Sequence, residues 1–243
     1  MARRPASRSQ GKSAKSGQPA AKPAAPAAGT DREKIVFAFL ALLSEKPIEQ
    51  IGLAEIASEA GVSLAQLRGE FGSALAIYAA HIKAIDRAVL AEDLSDMAEE
   101  PPRERLFDVL MRRLETMAPH REAVRSILRS ATRNPPLAMA LNGIAVRSQQ
   151  WMLTAAGINA SGPRGMMRAQ GLAVLFGSIL RTWTQDDEPG LARTMAALDR
   201  ALARGQRFAG LLDDLCAIPA RLSRLRPRRR RRERDEDEEA ATA

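Results

Sequence analysis

Cysteine is almost missing from this chain. Cys216 is the only one in 243 residues, so neither an intrachain disulfide nor a cysteine-rich metal site can form, which suits a reducing compartment. Histidine is nearly as scarce, with His81 and His120 alone, and aromatic residues make up 4%. Long apolar runs are lacking too. Uncharged stretches such as those between Arg133 and Arg147 and between Arg168 and Arg181 are too short to span a bilayer, so a soluble, cytoplasmic protein is expected. The first 30 residues carry no acid, as organelle transit peptides do, but Pro5, Pro19, Pro23 and Pro26 would interrupt the amphipathic helix such a signal needs. Strand-like alternation is absent as well. With Leu, Ala and Arg dominating and 45% apolar content, the chain reads as all-α with enough apolar surface for a substantial core. Its preference for Arg over Lys and its abundant Ala fit a GC-rich bacterial genome.

The parts of a catalytic centre are also wanting: there is no glycine-rich phosphate loop and no nucleophile or metal constellation. His81 lies mid-helix among apolar residues and His120 follows a helix-opening proline, positions that suit structural or solvent-facing roles. Asp186, Asp187 and Glu188 form the only compact carboxylate cluster outside the tail, immediately before Pro189, where acids favour the positive end of a helix. Neither catalysis nor a metal nor a cofactor is expected.

What is abundant is positive charge, and its distribution matters more than its total of +8. Residues 1–30 carry +6 and read as a disordered basic tail; residues 220–243 carry +3, a basic run followed by an acidic one, within a second disordered tail over 219–243. That leaves −1 for 31–219, which divides into a head over 31–80 and a body over 81–218. The Arg228–Arg232 block could hold phosphates or anionic lipid, with Asp235 to Glu239 competing for it.

Within the head, Leu53, Ile56, Ala57 and Ala60 share one side of a helix that Gly61 ends. Ser63 restarts the chain and can form a capping box with Gln66, after which Leu64, Leu67 and Phe71 are expected to face inward. This is helix-turn-helix spacing. A helix-turn-helix is a compact way to pack two helices as well as a DNA reader, but the outward positions Ala65, Gln66, Arg68, Gly69 and Glu70 are those a recognition helix presents to a major groove. Against that role, residues 31–70 hold four cations and seven acids, a charge of −3, where phosphate attraction is needed.

Further helices are expected over about 32–46, ended by Pro47, and over about 74–96, capped by Ser73. Others start at Pro101-Pro102 and at Pro119, span 135–156 and 164–184, and run from near Pro189 to about Leu215. The total is nine, three in the head and six in the body. Phe107, Met111, Met152, Trp151, Phe176 and Trp183 could line a ligand cavity between body helices, although core packing is the commoner use of such side chains.

The string Ile56-Ala57, Ala60-Gly61-Val62-Ser63, Leu67, Phe71 and Ser73 resembles the N-terminal pattern of the TetR family of bacterial transcriptional regulators. The resemblance implies a nine-helix TetR-like architecture and a homodimer paired through the last two helices of each chain. It also implies a small hydrophobic ligand in the body and double-stranded DNA as partner. By the same resemblance Gln66 is the base contact, with Ser63, Ala65 and Arg68 near the backbone. Departures fall on phosphate-contacting positions: Arg68 stands where the family has tyrosine, Glu70 where histidine or tyrosine is common, Ala74 where lysine is usual, and Gly52 where threonine caps the helix.

Residues 105–207 also resemble the lipid-binding accessory proteins of ubiquinone biosynthesis, which share this fold. The likeness runs through RRLETMAPHREAVRSIL, the Trp151 helix ending at Gly157, Arg168, Trp183, Asp186 and Leu198-Asp199-Arg200. It implies the alternative of a lipid carrier without DNA binding. Peripheral membrane contact would then come from Leu211, Leu215, Ile218, Leu222 and Leu225 beside Arg221, Arg224 and Arg226, a stripe that Pro219 interrupts and that could equally pack on the body.

Overall fold

A computed structural model describes residues 29–92, 97, 99–188 and 190–205, and among these the regular structure is entirely helical. The helices are α1 (Asp31–Glu45), α2 (Leu53–Ala60), α3 (Leu64–Glu70), α4 (Ala74–Ala91), α5 (Pro102–Met117), α6 (Arg121–Arg133), α7 (Pro135–Ala155) and α8 (Gly162–Trp183). A ninth, α9, occupies 192–205. The expected tails beyond these limits, including the 211–225 stripe and the Arg228–Arg232 block, lie outside the described residues, as does the predicted extension of the last helix to Leu215.

Local chemistry sets most helix ends. Thr30 starts α1 through a capping box, its hydroxyl accepting from the Glu33 amide at 3.3 Å while the Thr30 amide donates to Glu33 Oε2 at 2.9 Å. At the other end Lys46 is extended ahead of Pro47, as the pre-proline clash requires. The Ser73 hydroxyl caps α4, accepting from Ala76 N at 3.1 Å. That helix stops at Ala91, short of the expected 96. Glu92 is already extended, and an acid there faces the negative end of the helix dipole. Pro119 opens a single 3-10 turn, Ala118–His120, and α6 itself begins at Arg121.

The expected division at residue 80 falls inside α4. Ile35, Phe39, Leu43, Ile56, Leu67 and Ile77 form the head core, and Ala123 and Ile127 from α6 are buried in the same cluster. The head is therefore seated directly on α6. Hydroxyls reinforce the seam: Ser126 Oγ donates to the Lys46 carbonyl at 3.1 Å and Ser130 Oγ to Glu49 Oε2 at 2.9 Å.

The body core packs Leu110, Leu114 and Met117 of α5 against Met152, Phe176, Trp183 and Leu198. Helices α7 and α8 form an antiparallel pair, joined by reciprocal amide bonds between Asn142 and Gln170 at 2.9 and 3.0 Å. The chain crosses close over the start of α8: a Cβ on Gly165 would lie 2.0 Å from the Ala160 carbonyl carbon, so only glycine fits. Asp186, 1% exposed, secures α9 by accepting from Thr194 N at 2.8 Å and Thr194 Oγ1 at 2.7 Å, which holds its carboxyl below the ordinary carboxylate range. That is the helix-start role its position suggested. Among the described residues no helix is long and apolar enough to cross a membrane.

Candidate nucleic-acid interface

Helices α2 and α3 are joined by a tight turn whose geometry follows from three residues. Gly61 takes the left-handed conformation, φ 66°, and its amide bonds back to the end of α2. Val62 bridges. Ser63 then closes the capping box, its hydroxyl accepting from Gln66 N at 3.2 Å while its own amide donates to Gln66 Oε1 at 2.8 Å. Leu67 and Phe71, one turn apart, are buried and seat α3 on the head core.

Leu64, expected to face inward, is instead 56% exposed, and Leu53, grouped with the buried side of α2, is 40% exposed. Both are the first residue of a short helix. Side chains in a helix tilt toward its N-terminus, so the first one overhangs the packed region and meets solvent.

The outer side of α3 presents Ser63, Ala65, Gln66, Arg68, Gly69 and Glu70, all exposed. Their polar groups are partly engaged by the first turn of α1. Gln66 Nε2 donates to Asp31 Oδ2 at 2.9 Å, and Arg32 Nη1 pairs with Glu70 Oε2 at 3.1 Å while its guanidinium lies 4.5 Å from the Phe71 ring centroid. Of the four cations in the head, Arg32, Lys34 and Lys46 pair with Glu70, Asp31 and Glu55 respectively. Arg68 makes no ion pair among the described residues, which leaves its charge open to an incoming phosphate. Asp31 and Arg32 were not picked out from the sequence. They sit 35 and 38 positions from their partners, and no local pattern announces such a contact.

The side chains proposed from the sequence to line a cavity separate into two sets. Met152, Phe176 and Trp183 are buried together in the body core, with Phe107 and Met111 packed against it. Trp151 does not join them: at 58% exposure it lies on the outer side of α7, because Met152 and Leu153 take the inward positions of that turn. Near that core lies a buried polar group. Arg113 is ion-paired to Asp86, Ser148 Oγ donates to Asp86 Oδ1 at 2.8 Å, and the Arg113 guanidinium is 5.5 Å from the Phe176 ring centroid. Beside it His81 meets His120 edge to face at 5.0 Å. Burial, then the neighbouring His120 and Arg113, push the His81 imidazole down to about 3, and burial also lowers His120. Burial raises the Tyr78 phenol to about 12. His81 is thus a neutral core residue.

The fold is similar to that of solved TetR transcriptional regulators. Two solved structures are similar over most of their own length. A TetR transcriptional regulator from Rhodococcus sp. RHA1 is 20% identical with a TM-score of 0.52, the match covering 72% of this chain and 95% of that one. The TetR transcriptional regulator from Nitrosomonas europaea ATCC 19718 is 19% identical with a TM-score of 0.55, covering 72% of this chain and 97% of that one. No protein-family model matches the sequence, and no curated protein matches it.

Proposed function

We propose that this chain is a DNA-binding transcriptional regulator of the TetR type that works as a homodimer in the cytoplasm and carries out no catalytic step. The observation that carries the reading is α3 itself, anchored inward by Leu67 and Phe71 while Ser63, Ala65, Gln66 and Arg68 stand exposed on a fold shared with known regulators. Arg68 supplies one phosphate contact per head, and the +6 of residues 1–30 supplies the wider attraction that a head of −3 lacks.

Pairing of two copies is supported by the outer face of α7 and α8, where Trp151, Met166, Met167 and Val174 are more than half exposed. That face shares α8 with the last two helices, α8 and α9, to which the resemblance assigns pairing, and uses α7 in place of α9. In the body, Met152, Phe176 and Trp183, with Phe107 and Met111, form the apolar surroundings for a small hydrophobic ligand. His81 Nε2, Gln149 Oε1 and Arg113 Nε, buried and without hydrogen-bond partners among the described residues, favour a ligand that also carries a polar group.

Selection of DNA from a random pool at low salt tests the reading. A defined sequence should be enriched, and its affinity should fall steeply with rising salt. Removing residues 1–28 should weaken binding to all sequences alike, whereas Gln66→Ala should change which sequence is preferred. A pool that stays random would sink the proposal.

A further inference from the structure

The side-chain amide of Gln66 is held at both ends. Its Oε1 accepts from the Ser63 backbone amide at 2.8 Å, and its Nε2 donates to Asp31 Oδ2 at 2.9 Å. These partners admit one orientation only. Turning the amide over would set its NH2 against a backbone N–H and its carbonyl against a carboxylate, so chemistry, and not the placement of hydrogens, decides which end is which. Lys34 Nζ binds the other carboxylate oxygen, Oδ1, at 3.3 Å and leaves Oδ2 to Gln66. One residue further along α1, Arg32 grips Glu70 and covers Phe71, so the same turn holds α3 at both of its ends.

Each end of the amide keeps capacity in reserve: one hydrogen on Nε2 and one lone pair on Oε1. A donor and an acceptor side by side in fixed order match the N7 acceptor and N6 donor that adenine presents in the major groove. Guanine offers two acceptors there and leaves Oε1 unpaired; cytosine offers only a donor. We infer that Asp31 is a positioning residue that locks the Gln66 amide in the orientation that reads adenine.

The inference rests on the DNA-binding reading above and adds to it the base recognised and a residue outside the helix-turn-helix that enforces the choice. Asp31 is on α1 and need not touch DNA itself. It also adds an acid to a head of −3, so its charge lowers general affinity for phosphate, while at the start of α1 it favours the positive end of the helix.

The test uses the full-length protein and three variants, Gln66→Ala, Asp31→Ala and Asp31→Asn, each checked for an unchanged thermal transition. Each is then measured by competition binding against the selected site and against versions with one base pair replaced. Both Asp31 substitutions remove the same charge and should tighten binding to every sequence equally. Asparagine keeps an oxygen to accept from Nε2, whereas alanine does not. For the wild type we expect an adenine preference of about tenfold at one position, lost in Gln66→Ala, cut to about threefold in Asp31→Ala and kept in Asp31→Asn. If Asp31→Ala keeps the full preference while Gln66→Ala loses it, or if the base that depends on Gln66 is not adenine, the inference is overturned and the regulator reading stands. If the wild type selects no sequence, both fall.

Discussion

Ser130, buried on α6, donates its hydroxyl to Glu49 Oε2 at 2.9 Å across 81 positions of sequence, joining the body to the loop between the first two head helices. Asn134 approaches the other carboxylate oxygen at 3.5 Å. The Glu49 carboxyl is held below its ordinary value chiefly by its own backbone amide, with Ser130, Asn134 and Arg133 adding to the effect.

The two ends of this bond are unequal, and so are the expected costs of cutting it. Glu49→Ala leaves a buried hydroxyl without its acceptor and should destabilise by about 1–3 kcal/mol, whereas Ser130→Ala frees an exposed carboxylate to take up water and should cost about 1 kcal/mol or less. Urea unfolding of the two variants measures the difference; equal losses would contradict the asymmetry.

Asp86 and Arg113 form the buried ion pair of the body, the arginine side chain 3% exposed. Asp86→Ala strands a guanidinium charge in the interior and should cost about 3–5 kcal/mol. Asp86→Leu combined with Arg113→Met should recover most of that loss. A thermal or urea melt in which the double variant is no more stable than the single would argue against charge burial as the cause.

His81 makes stability depend on pH. Its pKa is depressed to about 3 from an ordinary 6.5, so between these values the unfolded chain binds a proton that the folded one refuses. The contribution is complete above about pH 6.5 and is lost as the pH falls, at about 1.4 kcal/mol per unit. From pH 7 to 5 the loss should be about 2 kcal/mol, with the burial of His120 adding in the same direction. In His81→Leu the slope of unfolding free energy over pH 5–6.5 should flatten; an unchanged slope would place its origin elsewhere.

Glycine substitutions along α8 should change stability in opposite directions. At Gly165 an added methyl meets the Ala160 backbone at 2.0 Å, and Gly165→Ala should destabilise by about 1–3 kcal/mol or more. At Gly177 nothing lies within 4 Å of the new Cβ, and Gly177→Ala should stabilise by about 0.5–1 kcal/mol through helix propensity. Differential scanning calorimetry resolves the two signs.

Trp151 and Val174, exposed at 58% and 64% on α7 and α8, lie on the face proposed to pair two copies. Sedimentation at micromolar concentration should show a dimer for the wild type and a monomer for Trp151→Arg with Val174→Arg, the helical content being unchanged. A dimer that survives both changes would move the pairing surface elsewhere.

Features set by neighbours in sequence were readable in advance. The left-handed Gly61, the Ser63–Gln66 capping box, the Ser73 cap and the inward pair Leu67 and Phe71 all follow from the short-range chemistry of helix ends and helical period. The readings that changed share a different origin. Leu53 and Leu64 obey the helical period but sit where their helices overhang the core, and Trp151 faces outward because its neighbours Met152 and Leu153 take the interior. Periodicity tells which residues share a side of a helix. It does not tell where along the helix its packing partner ends.

The composition and spacing of the chain alone determined an all-helical protein with a helix-turn-helix near its start, because capping, proline breaks and apolar period act within a few residues. Only the tertiary structure decided that α1 clasps α3 through Asp31 and Arg32, that α6 enters the head core through Ala123 and Ile127, and that Asp86 and Arg113 neutralise each other inside the body. Those contacts join residues that adjacency in sequence does not relate, and they form only when the burial of apolar surface has brought the helices together.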